Sequence, residues 1–368
     1  MDFGLSEEQQ QLKESARAFL SGECPTTFVR KIMATDDGYP RELYAQIAKL
    51  GWSGLVVPEK FGGAGLGMLD MAMILEEGGY AAMPGPFLFS SVLAASVLKL
   101  GGSEQLNSKW LTALAEGKAI GTVAVVERAG SIDPVDIAAV ATKDGAGWRL
   151  NGTKMFVPYA NVADFIVVAA KSDAGEIFLF VVDAKAPGVT IRLLKNLDLT
   201  RRVSSVELKG APAERLGGGT DLFAKLIDVA AVAVAADSLG GTERALEMAV
   251  EYSKVREQFG KPIGSFQALK HAAAEIVADL EPARAMLWYA AYAQDTGAAD
   301  ASRTAAMAKA RLCDIYSRGT DRAVLMHGGI GFTWEHDMHL WFKRARFNES
   351  CFGSPAYHRE RVAILGAY

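Results

Sequence analysis

The 368-residue chain changes its apolar rhythm twice, and that alternation constrains its fold more than any single motif. Over the first hundred or so residues, apolar positions recur at helical spacing. Leu5, Leu12, Ala16 and Phe19 share one face of a first helix, opened by a Ser6/Gln9 capping box. Pro40 suits the first position of a second helix, with Leu43, Ile47 and Leu50 on one side and Gly51 as its stop. Further helices are predicted over 68–75 and 86–100. From about Gly121 the pattern becomes short β-rich runs at 122–126, 148–150, 165–169, 177–182, 189–194 and 203–208. Asp144-Gly145 and Ser172-Asp173-Ala174-Gly175 supply turns between them, which predicts antiparallel hairpins and argues against βαβ units. From Asp221 onward long helices return, beginning with an alanine- and valine-rich stretch over 222–252 that is apolar on most sides, as in a buried central helix or a subunit interface.

Such segregation predicts an α+β multidomain chain: an N-terminal α-helical domain over 1–117, an antiparallel, barrel-like β domain over 118–215 and a C-terminal helical bundle over 216–368. Half the residues are apolar, enough for a large core. A net charge of −4 argues against long nucleic acid or an anionic membrane surface as a main partner. Cys24, Cys313 and Cys351 are scattered, without metal-ligand or disulfide spacing. The acidic start Met1-Asp2-Phe3-Gly4 lacks the features of a signal peptide, so a cytoplasmic location is expected. The longest apolar runs are far shorter than the roughly 20 residues a bilayer needs.

Four segments carry possible chemistry. Residues 62–67, Gly-Gly-Ala-Gly-Leu-Gly, resemble a phosphate loop but follow no convincing strand, which favours a tight turn between helices. Glu335, His336, Asp337 and His339 lie close together without an HExxH pattern, so a polar helix face is expected there and no metal. In the third, over 252–263, Arg256 is able to fork onto a pyrophosphate and Gly260 to admit close backbone approach; a helix stop at Gly260 and Pro262 explains the same residues. Gln267 and Lys270 follow at the start of the next helix, where exposed amides favour anions. The fourth, from His327 to Glu335, holds three glycines in four residues, suited either to positive φ and a ligand against the backbone or to a plain turn.

Together these last two segments resemble the acyl-CoA dehydrogenase family, which pairs an RxxFG segment with a GGxGF loop in this order. The resemblance spans the chain: Pro58, Glu59, Gly62, Gly63 and Gly65 match an N-terminal pattern, residues 102–105 with Trp110-Leu111 match a helix, and residues 151–155 match a β-domain turn. It implies a C-terminal four-helix bundle, assembly as a homodimer, homotetramer or heterotetramer with a related chain, an acyl-CoA substrate, FAD at a subunit interface and an electron-transfer flavoprotein as acceptor. Arg256, Gln258, Phe259, Gly328 and Gly329 would then contact the ADP half of a flavin held mainly by the neighbouring subunit. The acyl thioester would lie along that flavin, between the β domain and the bundle.

The family's reaction needs a carboxylate to take the α-proton. At its usual position this sequence has Phe352, and at the alternative one, ten residues before Gly240, it has Ala230. Asp228, Asp237, Glu349 and Glu360 are the displaced carboxylates that remain. Family segments beside the flavin read Val126-Glu127-Arg128 and Phe156-Val157-Pro158, without their usual hydroxyls, and Leu325 replaces a glutamine. The pattern resembles non-catalytic partners in heteromeric acyl-CoA dehydrogenases for steroid side chains. A homo-oligomeric enzyme with a relocated base and a redox-inactive binding relic are the alternatives.

Overall fold

The computed structural model describes residues 4–145, 147–172 and 174–367. Met1, Asp2 and Phe3 of the acidic start and Asp173 of the 172–175 turn lie outside the described residues. The chain forms two compact units, Met1–Arg30 with Ala72–Met83 and Ala231–Tyr368, and Lys31–Met71 with Pro84–Ala230.

The first unit is helical. Its α1 (Glu7–Glu23) starts on the Ser6/Gln9 capping box and buries Ala16 and Leu20. α2 (Thr26–Met33) begins just after Pro25, and sequence periodicity missed it because eight residues give barely two turns of pattern. After α3 (Arg41–Lys49) and α4 (Met68–Tyr80), the last turns of α4 return to this unit. They bring Glu76 and Glu77, each 1% exposed, to Lys13, Arg17 and Arg284. The Trp288 indole donates to Glu76 at 2.8 Å. The long helices are α7 (Gly219–Val255), α8 (Gln267–Thr296), α9 (Ala301–His327), α10 (Met338–Ser350) and α11 (Pro355–Leu365), with α9 packed on α8, α10 and α11. α7 passes α4 at van der Waals limits. A Cβ on Gly240 would meet the Glu76 carbonyl oxygen at 1.7 Å, and one on Gly79 would meet that of Asp237 at 2.0 Å.

In the second unit, α3 is preceded by Pro40 and stopped by Gly51 at φ 79°. Leu43 and Ile47 are buried as expected, but Leu50 is 49% exposed. Residues 62–67 form the tight turn the sequence suggests, because a Cβ on Gly63 would meet Val57 and Gly54 carbonyl oxygens. A π-helical stretch, Leu88–Ala94, runs into α5 (Ala95–Gly101), followed by α6 (Glu104–Ala115).

The strands are β1 (Gly121–Ala124), β2 (Val140–Asp144), β3 (Gly147–Pro158), β4 (Phe165–Ser172), β5 (Ile177–Asp183), β6 (Val189–Leu194) and β7 (Val203–Arg215). β2, mostly exposed, shows no apolar alternation and went unread. The pairings β4–β2–β3–β7–β5–β4 close a ring around Leu150, Ile166, Val168, Phe180, Val182, Val206 and Leu208. The hairpins β2–β3 and β4–β5 are antiparallel, whereas β1–β4 and β2–β4 are parallel, a correction to the all-antiparallel expectation. About forty residues separate β1 from β4, long enough to return the chain to the same end of the sheet.

Candidate functional site

At the C-terminal end of α7 the chain turns through a two-stranded ribbon, β8 (Glu257–Gln258) and β9 (Lys261–Pro262). Its two-residue loop is Phe259-Gly260, with φ 57° and 75°, the double left-handed geometry of the tightest hairpins. Phenylalanine is a strained choice for the first of these positions. Its ring is 92% exposed and touches Phe266 edge-on at 6.0 Å. Arg256 and Gln258 flank it on the outer surface. The Gln258 amide donates only to the Glu257 carbonyl, and the Arg256 guanidinium has no hydrogen bond or ion pair among the described residues.

The second glycine segment lies close by. His327, the last residue of α9, stacks on Tyr252 of α7 at 4.7 Å and lies 4.5 Å from the His336 ring. Burial holds the His327 imidazolium below its usual range. The stack ties the start of the 328–332 turn to the last turn of α7, just ahead of Arg256. The three glycines have different causes. Gly328 needs its φ of 66°, and a Cβ on Gly331 would meet the Val324 carbonyl at 2.7 Å. Gly329 has neither reason: its φ is not left-handed, and nothing lies within 4 Å of where its Cβ would be. An open groove of about 510 Å³ runs beside the ribbon, lined by Val250, Ser253, Lys254, Leu269, Lys270 and Met326 among others. Uncommitted guanidinium, open glycine backbone and lysines beside a groove form a donor set that fits a phosphate-bearing group.

Phe352 is 6% exposed with φ 54°, followed by Gly353 at φ 98°. Its turn is tightly held. Lys309, fully buried on α9, donates to the carbonyls of Asn348 at 2.9 Å, Glu349 at 3.4 Å and Gly353 at 2.9 Å. The His358 Nε2 donates to the Phe352 carbonyl at 2.9 Å, and Ser354 caps α11. Sequence reasoning passed over Lys309 and His358. The available signal was a lysine on the small-residue face of α9, between Ala305 and Cys313, both fully buried.

Ala230 is fully buried on α7. Of the displaced carboxylates, Asp228 is buried and engaged within the chain. Asp237 meets Arg344 and Asn348, and Glu349 accepts from Ser317 at 2.9 Å and from Arg346 at 3.2 Å. Glu360 lies exposed on α11. Around His336 and His339, Arg30 pairs with Asp337 at 2.6 Å, and Trp334 stacks on His339 at 4.6 Å. Among the described residues no group of three or more His, Cys, Asp or Glu is arranged to hold a metal ion. No helix among them is long and apolar enough to cross a membrane.

In the second unit, the 126–128 and 156–158 segments lie side by side, the Met155 amide donating to the Val126 carbonyl at 2.8 Å. Phe156, 54% exposed at φ 53°, stands on a bulge where the β3–β7 register shifts between Lys154 and Val157.

Comparison with known proteins agrees with this architecture. Family models of the acyl-CoA dehydrogenase N-terminal, middle and C-terminal domains match residues 6–118, 122–209 and 217–364. Acyl-CoA dehydrogenase IpdE2 of Mycolicibacterium smegmatis is 34% identical, covering 99% of both chains. Acyl-CoA dehydrogenase FadE27 of Mycobacterium tuberculosis is 33% identical, covering 98% of both. Among solved structures, the ChsE4-ChsE5 complex from Mycobacterium tuberculosis matches with TM-score 0.93 and 32% identity, over 100% of this chain and 99% of that one. Three domain models in order over nearly the whole length, on a helical, β, helical framework, make this chain a member of the acyl-CoA dehydrogenase family.

Proposed function

We propose that this chain is one subunit of an FAD-dependent acyl-CoA dehydrogenase that desaturates the Cα–Cβ bond of an acyl thioester together with a related chain bearing the carboxylate base. The family's chemistry is oxidoreduction at CH–CH bonds, and its cofactor is FAD, which supplies the hydride acceptor. The reading is carried by Phe352: a buried aromatic stands where the family resemblance puts the base, and three of the four displaced carboxylates are committed to other partners. A positioned base is worth roughly 10²–10⁴-fold in rate, so a chain without one needs it from elsewhere. The ChsE4-ChsE5 assembly is a complex of two different chains and supports a partner of this kind.

This chain's own contribution would be to binding. Arg256 would pair with phosphate oxygens, Phe259 would offer an apolar face beside them, and Gly328 and Gly329 would let the backbone approach the same group. Gln258 stands next to them. All five face outward, which suits a cofactor held mainly by a neighbouring subunit. An electron-transfer flavoprotein is the proposed electron acceptor.

The test is the flavin-to-chain ratio of the protein purified alone and with a related chain carrying the glutamate. Arg256→Ala should lower the flavin content of the complex by at least half; unchanged content rejects the role given to Arg256. Bleaching of bound flavin by acyl-CoA without any partner would instead establish a self-sufficient enzyme with a relocated base.

A further inference from the structure

Three of the chain's five histidines, His327, His336 and His339, fall in one short segment and bracket the turn that carries Gly328 and Gly329. Their hydrogen bonds fix which ring nitrogens carry hydrogen in the neutral state. The Met338 amide, at the start of α10, donates to His336 Nδ1 at 3.1 Å, so the His336 hydrogen sits on Nε2. The Arg30 guanidinium donates to His339 Nε2 at 3.3 Å, which leaves the His339 hydrogen on Nδ1. His327 is the reverse case, its Nδ1 donating to the Ala323 carbonyl at 2.7 Å. A neutral imidazole has one bare nitrogen to take a proton. In His336 and His339 that nitrogen already accepts an N–H.

Protonation there sets N–H against N–H and ends the bond. The charged groups facing the two rings are Arg30 from α2, Lys343 from α10, and Glu335 and Asp337 of the segment itself. Tyr252 of α7 and His327 of α9 stand on the other side of His336. Asp337 is held by Arg30 at 2.6 Å, and Arg30 also donates to the His336 carbonyl at 3.3 Å. The Lys343 ammonium lies 4.2 Å from the centre of the Trp334 ring, which stacks on His339. Burial pushes the His339 imidazolium down to about 4, with Lys343 and Arg30 pushing the same way. Burial lowers that of His336 too, and His327 adds to it. Both folded values lie below the unfolded value near 6.5. The two bonds are therefore intact at neutral pH and are lost as pH falls, for His339 toward 4.

We propose that His336 and His339 form a proton-operated latch, which fastens the 328–337 turn to Arg30 and α10 when neutral and unfastens it when protonated. Gly328 and Gly329 lie on this turn, so the latch makes retention of the phosphate-bearing ligand acid-sensitive, a consequence that rests on the function proposed above.

The full chain and its flavin-loaded complex are compared with His336→Asn/His339→Gln, whose side-chain amide oxygens accept where Nδ1 and Nε2 do but take no proton. Nitrogen-15 spectra of the wild-type histidine rings at neutral pH should show hydrogen on His336 Nε2 and His339 Nδ1; the opposite tautomers overturn the latch. On acidification to about pH 4.5, exchange at the Thr333 and Met338 amides, corrected for the chemical rate, should speed about tenfold in wild type and less than about twofold in the double variant. The core amides of Ala290 and Leu312, both fully buried, should stay protected. His358→Gln, a buried histidine outside the segment, should respond as wild type does. No wild-type response, or an equal response in the double variant, also overturns the latch. Flavin per chain after gel filtration should fall with pH in the wild-type complex and hold in the double variant. Exchange that responds while flavin does not would reject the link to the proposed function and leave the latch itself standing.

Discussion

The carboxylate of Asp237 and the guanidinium of Arg344 meet at 3.4 Å with neither open to water, and the Asn348 amide donates to the other Asp237 oxygen at 2.7 Å. Arg344 also reaches the Met83 carbonyl at 2.8 Å. So occupied, Asp237 joins α7 to α10. Replacing only Arg344 leaves a buried charge without its counter-ion, a loss of about 3–5 kcal/mol. Urea denaturation of Arg344→Met should show it, and the double variant Arg344→Met/Asp237→Leu should recover part of the loss.

Acid should act through His358. Burial pushes its imidazolium down to about 3, Lys309 and Arg361 push the same way, and the Phe352 carbonyl opposes them. The folded pKa thus lies below the unfolded value near 6.5, so the unfolded chain takes up the proton first. The stabilisation is complete above pH 6.5 and is lost as pH falls toward 3, at up to about 1.4 kcal/mol per pH unit. In His358→Gln, unfolding midpoints measured from pH 7 to 4 should fall less steeply.

Two glycines should respond oppositely to alanine. Gly240→Ala drives a methyl into the Glu76 carbonyl and should cost about 3 kcal/mol or more, or prevent folding. Gly329→Ala meets nothing within 4 Å and should stay within about 0.5 kcal/mol of the parent in thermal unfolding. Its flavin content should nevertheless fall.

Phe259 should trade stability against binding. Asparagine tolerates the left-handed backbone of a two-residue hairpin better than an aromatic does, so Phe259→Asn should raise stability by up to about 1 kcal/mol. The same variant should retain less flavin after gel filtration, measured by absorbance per chain.

Local chemistry explains what was legible in the sequence. Ser6 with Gln9, Gly51 and the turn at Asp144-Gly145 act within a few residues, and each stands where its pattern places it, while Pro40 sits one place earlier than expected, as the cap before Arg41. α2 and β2 escaped because eight residues and five mostly exposed residues carry little periodicity. The parallel β1–β4 pairing depends on a long connection whose path no local signal records. In the candidate site, the stop of α7 ahead of Gly260 and Pro262 showed in the sequence. The surroundings of Phe352 did not, because Lys309 acts across some forty residues of sequence.

The touching backbones of α4 and α7 also limit how this helix can change length. At 3.6 residues per turn, one residue inserted before Gly240 swings every later position by about 100°. A side chain would then face the Glu76 carbonyl where only hydrogen fits. Between that contact and the start of α7, length variation is thus confined to substitution, and an insertion scan should find a silent interval there, bounded by tolerant loops. The crossing sets the rotational phase of α7, so every residue downstream on it, Tyr252 included, and Arg256 just past its end, inherits its direction from a position with no side chain at all.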